Sequence, residues 1–192
     1  GIIIYLDGLP QHTLMPSFAF LTLFLFLALV GSRASRADTS ISGAYLSFTC
    51  GIMVWGWQVA GFYMGFVSGP RRHACPLGCR GIRHFRHAIE ACLYHELVAI
   101  LGMLVLLAIS WQAPNQLALQ TYLILWGLHE LAKLNVFFGV RNLNEEFLPN
   151  HMRYLSSFFS RKPINLFFPV AITMATILTG ALWQHTLSAS AS

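Results

Sequence analysis

The sequence predicts an all-α, polytopic transmembrane helix bundle, and three observations carry that reading. Charged residues make up 10% of the chain and hydrophobic ones 56%, whereas a soluble domain carries roughly 25% charged residues, so the charges cannot cover a water-facing surface. Five segments each hold enough apolar residues to cross the bilayer, which takes about 20 over roughly 30 Å of hydrocarbon. The run Leu21-Thr-Leu-Phe-Leu-Phe-Leu-Ala-Leu-Val30 is apolar on every side. That excludes the in/out alternation of a membrane barrel and leaves the helix, whose backbone satisfies itself in lipid.

The chain reads as a single membrane domain over 1–192, with spans at about 15–31, 42–68, 88–111, 117–140 and 165–183. Ahead of them, Gly1-Ile-Ile-Ile-Tyr-Leu6 is apolar from its first residue. It reads as a truncated N-terminal half-span, which gives six spans in the intact protein. No basic n-region precedes Arg33, so residues 1–31 do not read as a secretory signal. Four cysteines in 192 residues are too few for a disulfide framework.

The excess of 12 Lys+Arg over 7 Asp+Glu gathers in a few loops, which points to membrane orientation and to no nucleic-acid partner. Loop 70–87 carries Arg71, Arg72, Arg80, Arg83 and Arg86, and loop 141–163 carries Arg141, Arg153, Arg161 and Lys162. Both are expected in the cytoplasm. The connection 112–116 and the tail after Trp183 have neither Lys nor Arg and are expected on the opposite side. Arg33 and Arg36, offset only by Asp38, run against this scheme.

Ionisable residues inside a span are expensive and mark candidate sites. The third span carries Glu90, Tyr94, His95 and Glu96, and the fourth carries His129, Glu130 and Lys133. The short 112–116 connection makes these spans antiparallel neighbours and brings His95 and His129 to similar depth, so two His-Glu pairs are expected to face one another. Glu90 is placed with Tyr94 by helical spacing. One reading makes Lys133 the counter-charge of Glu130 or Glu96 and the cluster a register pin. The other makes His95 or His129 the axial ligand of a tetrapyrrole. A carboxylate di-metal centre is disfavoured, because adjacent His and Glu diverge by about 100° around a helix.

Three further motifs stand out. Gly61, Gly65 and Gly69 read as a small-xxx-small ridge at the end of the second span, suited to close helix approach inside the bundle or to a partner. In 141–163, Asn144 is expected to cap a short interfacial amphipathic helix. Its Tyr154, Leu155, Phe158 and Phe159 would lie in the interface, while Arg153, Arg161 and Lys162 meet lipid phosphates. Cys75-Pro-Leu-Gly-Cys79, flanked by His73, His84 and His87, resembles half of a zinc site. Its spacing is loose and there is no second cysteine pair, so it reads as a Pro/Gly turn with reduced thiols and no metal.

The segments Asp38-Thr-Ser-Ile-Ser-Gly-Ala-Tyr-Leu46, Val54-Trp-Gly-Trp57, Phe66-Val-Ser-Gly-Pro-Arg-Arg72 and Ala113-Pro-Asn-Gln116 carry a resemblance across essentially the whole chain. So do Ala132-Lys-Leu-Asn-Val-Phe-Phe-Gly-Val-Arg-Asn-Leu-Asn-Glu-Glu-Phe-Leu-Pro149 and Arg161-Lys-Pro-Ile-Asn-Leu-Phe-Phe-Pro169. The chain resembles the PuhE family, photosynthetic complex assembly proteins of phototrophic bacteria. The resemblance implies a multi-pass protein of the bacterial inner, intracytoplasmic photosynthetic membrane. It also implies an assembly or accessory role toward reaction centre and core antenna subunits, with a link to bacteriochlorophyll supply. No catalytic residue follows from it, no enzymatic activity is expected, and no definite cofactor is expected, bacteriochlorophyll and carotenoid being the candidates. Two alternatives stand beside it: a tetrapyrrole-binding or tetrapyrrole-processing protein using His95 or His129, and a small transporter or proton path through Glu96, Glu130 and Lys133.

The charge pattern makes a topological prediction. Single cysteines placed in 70–80 and 141–149 should be labelled only from the cytoplasmic side, and those in 112–116 only from the periplasm. Periplasmic labelling next to Arg80 would overturn the scheme.

Overall fold

The computed structural model describes residues 10–143, 145 and 148–190. The expected half-span over residues 1–6 and the expected cap Asn144 lie outside the described residues. Among the described residues five α-helices and one 3-10 helix follow in order: α1 Gln11–Ser35, α2 Ile41–Tyr63, α3 Gly81–Ser110, α4 Leu117–Phe138, the 3-10 helix Asn150–Phe158, and α5 Phe167–Ser190. Among the described residues there is no strand beyond one isolated parallel bridge, Val140 to Arg161.

Among the described residues three stretches are long and apolar enough to cross a membrane: His12–Ser35, Gly81–Ser110 and Phe167–Gln184. Helices α2 and α4, at 23 and 22 residues, have the length but are diluted, α2 by Ser42, Thr49 and Gln58 and α4 by Gln120, His129, Glu130 and Lys133. Boundaries shift as well. α3 starts at Gly81, well before residue 88, because Arg83, His84, Arg86 and His87 form polar first turns that a hydropathy pattern cannot see. α2 stops at Tyr63, short of Ser68. Gly65 takes the left-handed conformation (φ +79°) just beyond it, and Phe66 and Val67 both return their N–H groups to Gly61 O at 3.0 Å.

The chain divides into two compact units, 1–127 with 144–158, and 128–143 with 159–192. In the first, Cys50, Val54 and Trp55 of α2 pack with Ala28, Ala99, Leu106, Ala118 and Tyr122. Lipid is as apolar as these side chains, so close packing and internal hydrogen bonds must hold such helices together. Small residues permit it: a Cβ on Gly51 would stand 2.6 Å from Ala118 O. Tyr122, fully buried, donates to Gln58 Oε1 (2.7 Å) and Ala99 O (2.8 Å), and Gln58 Nε2 donates to Val98 O (3.1 Å).

The helix ends of this unit meet at Asn115. Its Nδ2 donates to Ser35 O (3.0 Å), Asp38 O (2.8 Å) and Gly43 O (3.2 Å), and its Oδ1 accepts from Leu117 N (3.2 Å). One amide thus ties the end of α1, the 36–40 turn and the first turn of α2 to the start of α4. In the second unit Asn165 does similar work: Nδ2 donates to Gly139 O (2.6 Å) and Oδ1 caps α5 by accepting from Phe168 N (2.8 Å).

The 3-10 helix corrects one expectation. Leu155 and Phe158, expected in the lipid interface, are buried inside the first unit together with Met152. Arg153 faces outward, as do Arg161 and Lys162 in the second unit.

Asn115→Ala leaves buried carbonyls without their donor and should cost about 2–3 kcal/mol. Asn115→Asp, which sets a carboxylate against the same carbonyls, should cost more. Unfolding in mixed micelles measures both; equal stability of the three proteins would remove the clamp from the account.

Candidate functional site

The polar chemistry of the first unit concentrates where segment 66–72 lies along α3. Ser68 O accepts the N–H of His95 (3.0 Å), an N–H whose helical partner is Ala91, and Glu90 O accepts from Arg71 N (3.3 Å). Gly69 makes this approach possible, because a Cβ there would overlap Glu90 O and stand 2.6 Å from the carbonyl carbon of Ala91. Glu90 holds Arg71 and Arg86, each at 3.3 Å, and Arg71 is only 11% exposed. The expected partner of Glu90, Tyr94, is instead exposed. Arg71 comes from the loop and so is invisible to helical spacing.

His95 is 1% exposed, and the rings of Trp55 and Phe62 cover it at centroid distances of 6.0 and 4.9 Å. A macrocycle on His95 therefore requires one of those rings to move. Glu96 is half-buried on the next position of α3. His129, Glu130 and Lys133 belong to the second unit. There Lys133 Nζ and Glu130 Oε1 form a close ion pair of 2.6 Å at i, i+3, and His129 is half-buried. Lys133 is thus the counter-charge of Glu130, one of the two partners expected for it. The facing of His95 toward His129 is an expectation that spans the two units.

The glycines Gly61, Gly65 and Gly69 do not form one helical ridge, since α2 ends at Tyr63. Each abuts its own chain: a Cβ on Gly61 would meet the Phe18 ring at 2.9 Å, and one on Gly65 the His151 ring at 3.0 Å.

Loop 70–80, expected as a Pro/Gly turn, also gathers thiols and imidazoles. His84 and His87, one turn apart at the start of α3, bring their Nδ1 atoms to Cys75 Sγ at 3.3 and 3.5 Å, and His87 Nδ1 also lies 3.4 Å from Cys79 Sγ. Both cysteines are free thiols. Burial pushes the Cys75 thiol up, and the neighbouring Cys79 adds to this against the pull of Arg71 and Arg83. His73 points to solvent. The signal was the i, i+3 histidine pair that begins five residues after the second cysteine, but it rests on a helix that begins earlier than the hydropathy does.

A cleft of about 540 Å³ opens nearby, with Arg72, His151 and Tyr154 among apolar walls from Leu14, Met15 and Phe66. Burial pushes the Tyr154 phenol up, against the pull of the Ser68 hydroxyl and the charge of Arg72. A cation, an imidazole and a protonated phenol over apolar walls can receive an amphiphile with an anionic head.

Comparison with known proteins adds a family and one relative. The family model "Protein of unknown function (DUF3623)" matches residues 1–192. An "Uncharacterized 30.4 kDa protein in puhA 5'region" of Rhodobacter capsulatus is 34% identical over 155 residues, covering 81% of this chain and 57% of the relative. The chain therefore spans little more than half the length of that relative. No solved structure matches.

The seam at Gly69 yields a paired prediction. Gly69→Ala forces a Cβ into the α3 backbone and should destabilise the protein by about 1–3 kcal/mol. Gly56→Ala, where a Cβ would meet nothing within 4 Å, should be neutral or gain roughly 0.5–1 kcal/mol. Unfolding in mixed micelles reads both, and a neutral Gly69→Ala would mean that the seam is loose.

Proposed function

The chain belongs to the DUF3623 family, and on that premise we propose that it is a multi-pass inner-membrane protein that supports assembly of the photosynthetic reaction centre and core antenna. The observation that carries the reading is the relative named for the puhA 5' region, since puhA is a photosynthesis gene. The resemblance to PuhE assembly proteins points the same way. Three helices apolar enough to cross a membrane support an integral protein. In this reading α2 and α4 also cross, giving five spans. The reaction centre and core antenna subunits are its partners, and exposed Arg153, Arg161 and Lys162 meet lipid headgroups. The protein acts by binding, without a catalytic residue.

A tetrapyrrole role is the second reading, and the half-buried His129 beside the Glu130–Lys133 pair favours it over the enclosed His95. An imidazole on a helix supplies the one axial donor that a magnesium tetrapyrrole needs.

Both readings are tested in one strain. The tagged chain, captured from phototrophic membranes in mild detergent, should bring reaction centre and core antenna subunits with it, and its deletion should lower the amount of core complex. Normal core complex in the deletion strain together with no captured subunits would sink the assembly role. If bacteriochlorophyll is captured, His129→Leu should remove it; pigment undiminished in both His129→Leu and His95→Leu ends the ligand reading.

A further inference from the structure

We propose that Cys75, Cys79, His84 and His87 form a binding site for a divalent transition metal, Zn²⁺ by its chemistry, that staples loop 70–80 to the first turns of α3. The Sγ atoms of Cys75 and Cys79 and Nδ1 of His87 lie within 4.8 Å of one another. His84 Nδ1 stands outside that trio but only 3.3 Å from Cys75 Sγ, placed to swing in as the fourth donor. A tetrahedral zinc ion with Zn–S of about 2.3 Å and Zn–N of about 2.0–2.1 Å sets its sulfur and nitrogen ligands about 3.6 Å apart. The sulfur–nitrogen separations of 3.3, 3.5 and 3.4 Å are edges of such a tetrahedron.

The surrounding chain supports the donors. The spacing C-x3-C-x4-H-x2-H puts the two thiols on one tight turn and the two imidazoles on one helix face. The turn is closed by Cys79 N donating to Pro76 O (3.1 Å) with Gly78 in the left-handed region (φ +79°). Cys75 N donates to Ser157 Oγ (2.9 Å), and the His84 ring packs on Phe158 (5.7 Å between centroids), so the 3-10 helix holds the donors from behind. His87 is buried, and the other three donors are half-buried. Two thiolates and two imidazoles suit Zn²⁺ rather than Mg²⁺ or Ca²⁺. With His84 drawn in, four protein donors would close the coordination sphere, as in a structural rather than a catalytic site. Binding releases the two thiol protons, and the dication with two thiolates leaves a neutral centre among Arg71, Arg80, Arg83 and Arg86. The site is independent of any photosynthetic role.

The test uses the full chain in detergent under reducing conditions, with Zn²⁺ and then Co²⁺ as probes. The wild-type protein should retain one equivalent of zinc by elemental analysis. After chelation and Co²⁺ loading it should show thiolate-to-cobalt charge transfer and the intense red-region bands of tetrahedral coordination. Cys75→Ser and Cys79→Ser should each weaken Co²⁺ binding by about 100-fold or more, since even outer-shell changes cost 10–100-fold. His84→Ala and His87→Ala should weaken it and shift the bands, while Cys92→Ser leaves the spectrum unchanged. The wild-type spectrum decides the matter even where a variant misfolds. A helical, reduced wild-type chain that takes up no Co²⁺ overturns the proposal. So does full binding by the Cys75→Ser/Cys79→Ser double variant, or a Cys75–Cys79 disulfide in the protein as isolated.

Discussion

The first unit depends on one side-chain amide. A helix leaves its last carbonyls and first N–H groups without partners, and here the end of α1 and the start of α4 meet at one point. Asn115 answers this with both ends of its amide, donating to the carbonyls of Ser35, Asp38 and Gly43 while accepting from Leu117 N. Its own N–H goes to Arg36 O (3.1 Å). Asn is the residue for this: Asp has no donor, Gln has a longer and looser stem, and Ser offers one hydrogen. Once these ends are pinned, the register of α1 against α2 follows, and Ser35 and Ser47 meet at 2.9 Å. Asn165 repeats the arrangement in the second unit, tying the end of α4 at Gly139 to the first turn of α5.

Between the pinned ends the helices need a reason to stay together that apolar burial does not supply in lipid. The first unit uses two devices. Small residues, Ala28, Gly51, Ala99 and Ala118, let backbones approach. A buried polar network of Tyr122, Gln58 and the carbonyls of Ala99 and Val98 then gives that approach a direction. The same logic explains Ser68 and Gly69, where an extended segment reaches α3 closely enough to share its hydrogen bonding. Glu90 meets Arg71 and Arg86 at the end of this seam, so a largely buried guanidinium is neutralised where the loop turns away.

The loop that follows is the most polar part of the first unit, and the structure spends its chemistry there economically. Five arginines and three histidines fall within residues 71–87. Arg71 is consumed by Glu90, and Arg72 reaches back to Gly65 O (3.1 Å). His84 and His87, in the first turns of α3, turn inward toward the two thiols. A segment of this length with no regular structure of its own needs such anchors to hold one conformation.

The helical class, the apolar character of α1, α3 and α5 and the polar character of both basic loops were legible in the sequence, because composition and long apolar runs act over whole turns and need no neighbour. The Ala-Pro-Asn-Gln and Pro-x-Asn motifs were visible as strings, yet nothing in them says which carbonyls the asparagines hold. Helix ends were read poorly where polar residues begin a helix, as at Gly81, or a left-handed glycine ends it, as at Gly65. Partners from other segments were not legible at all. Arg71 for Glu90, Ser68 for His95, and the burial of Leu155 and Phe158 each join residues far apart in the chain. The Cys75–His87 cluster lies between these cases: the residues are near in sequence, but only a helix begun at Gly81 brings both imidazoles to the thiols. What the sequence by itself determined is the solvent each segment prefers; which polar groups meet was decided by tertiary structure, since a buried hydrogen bond depends on distance and direction and not on composition.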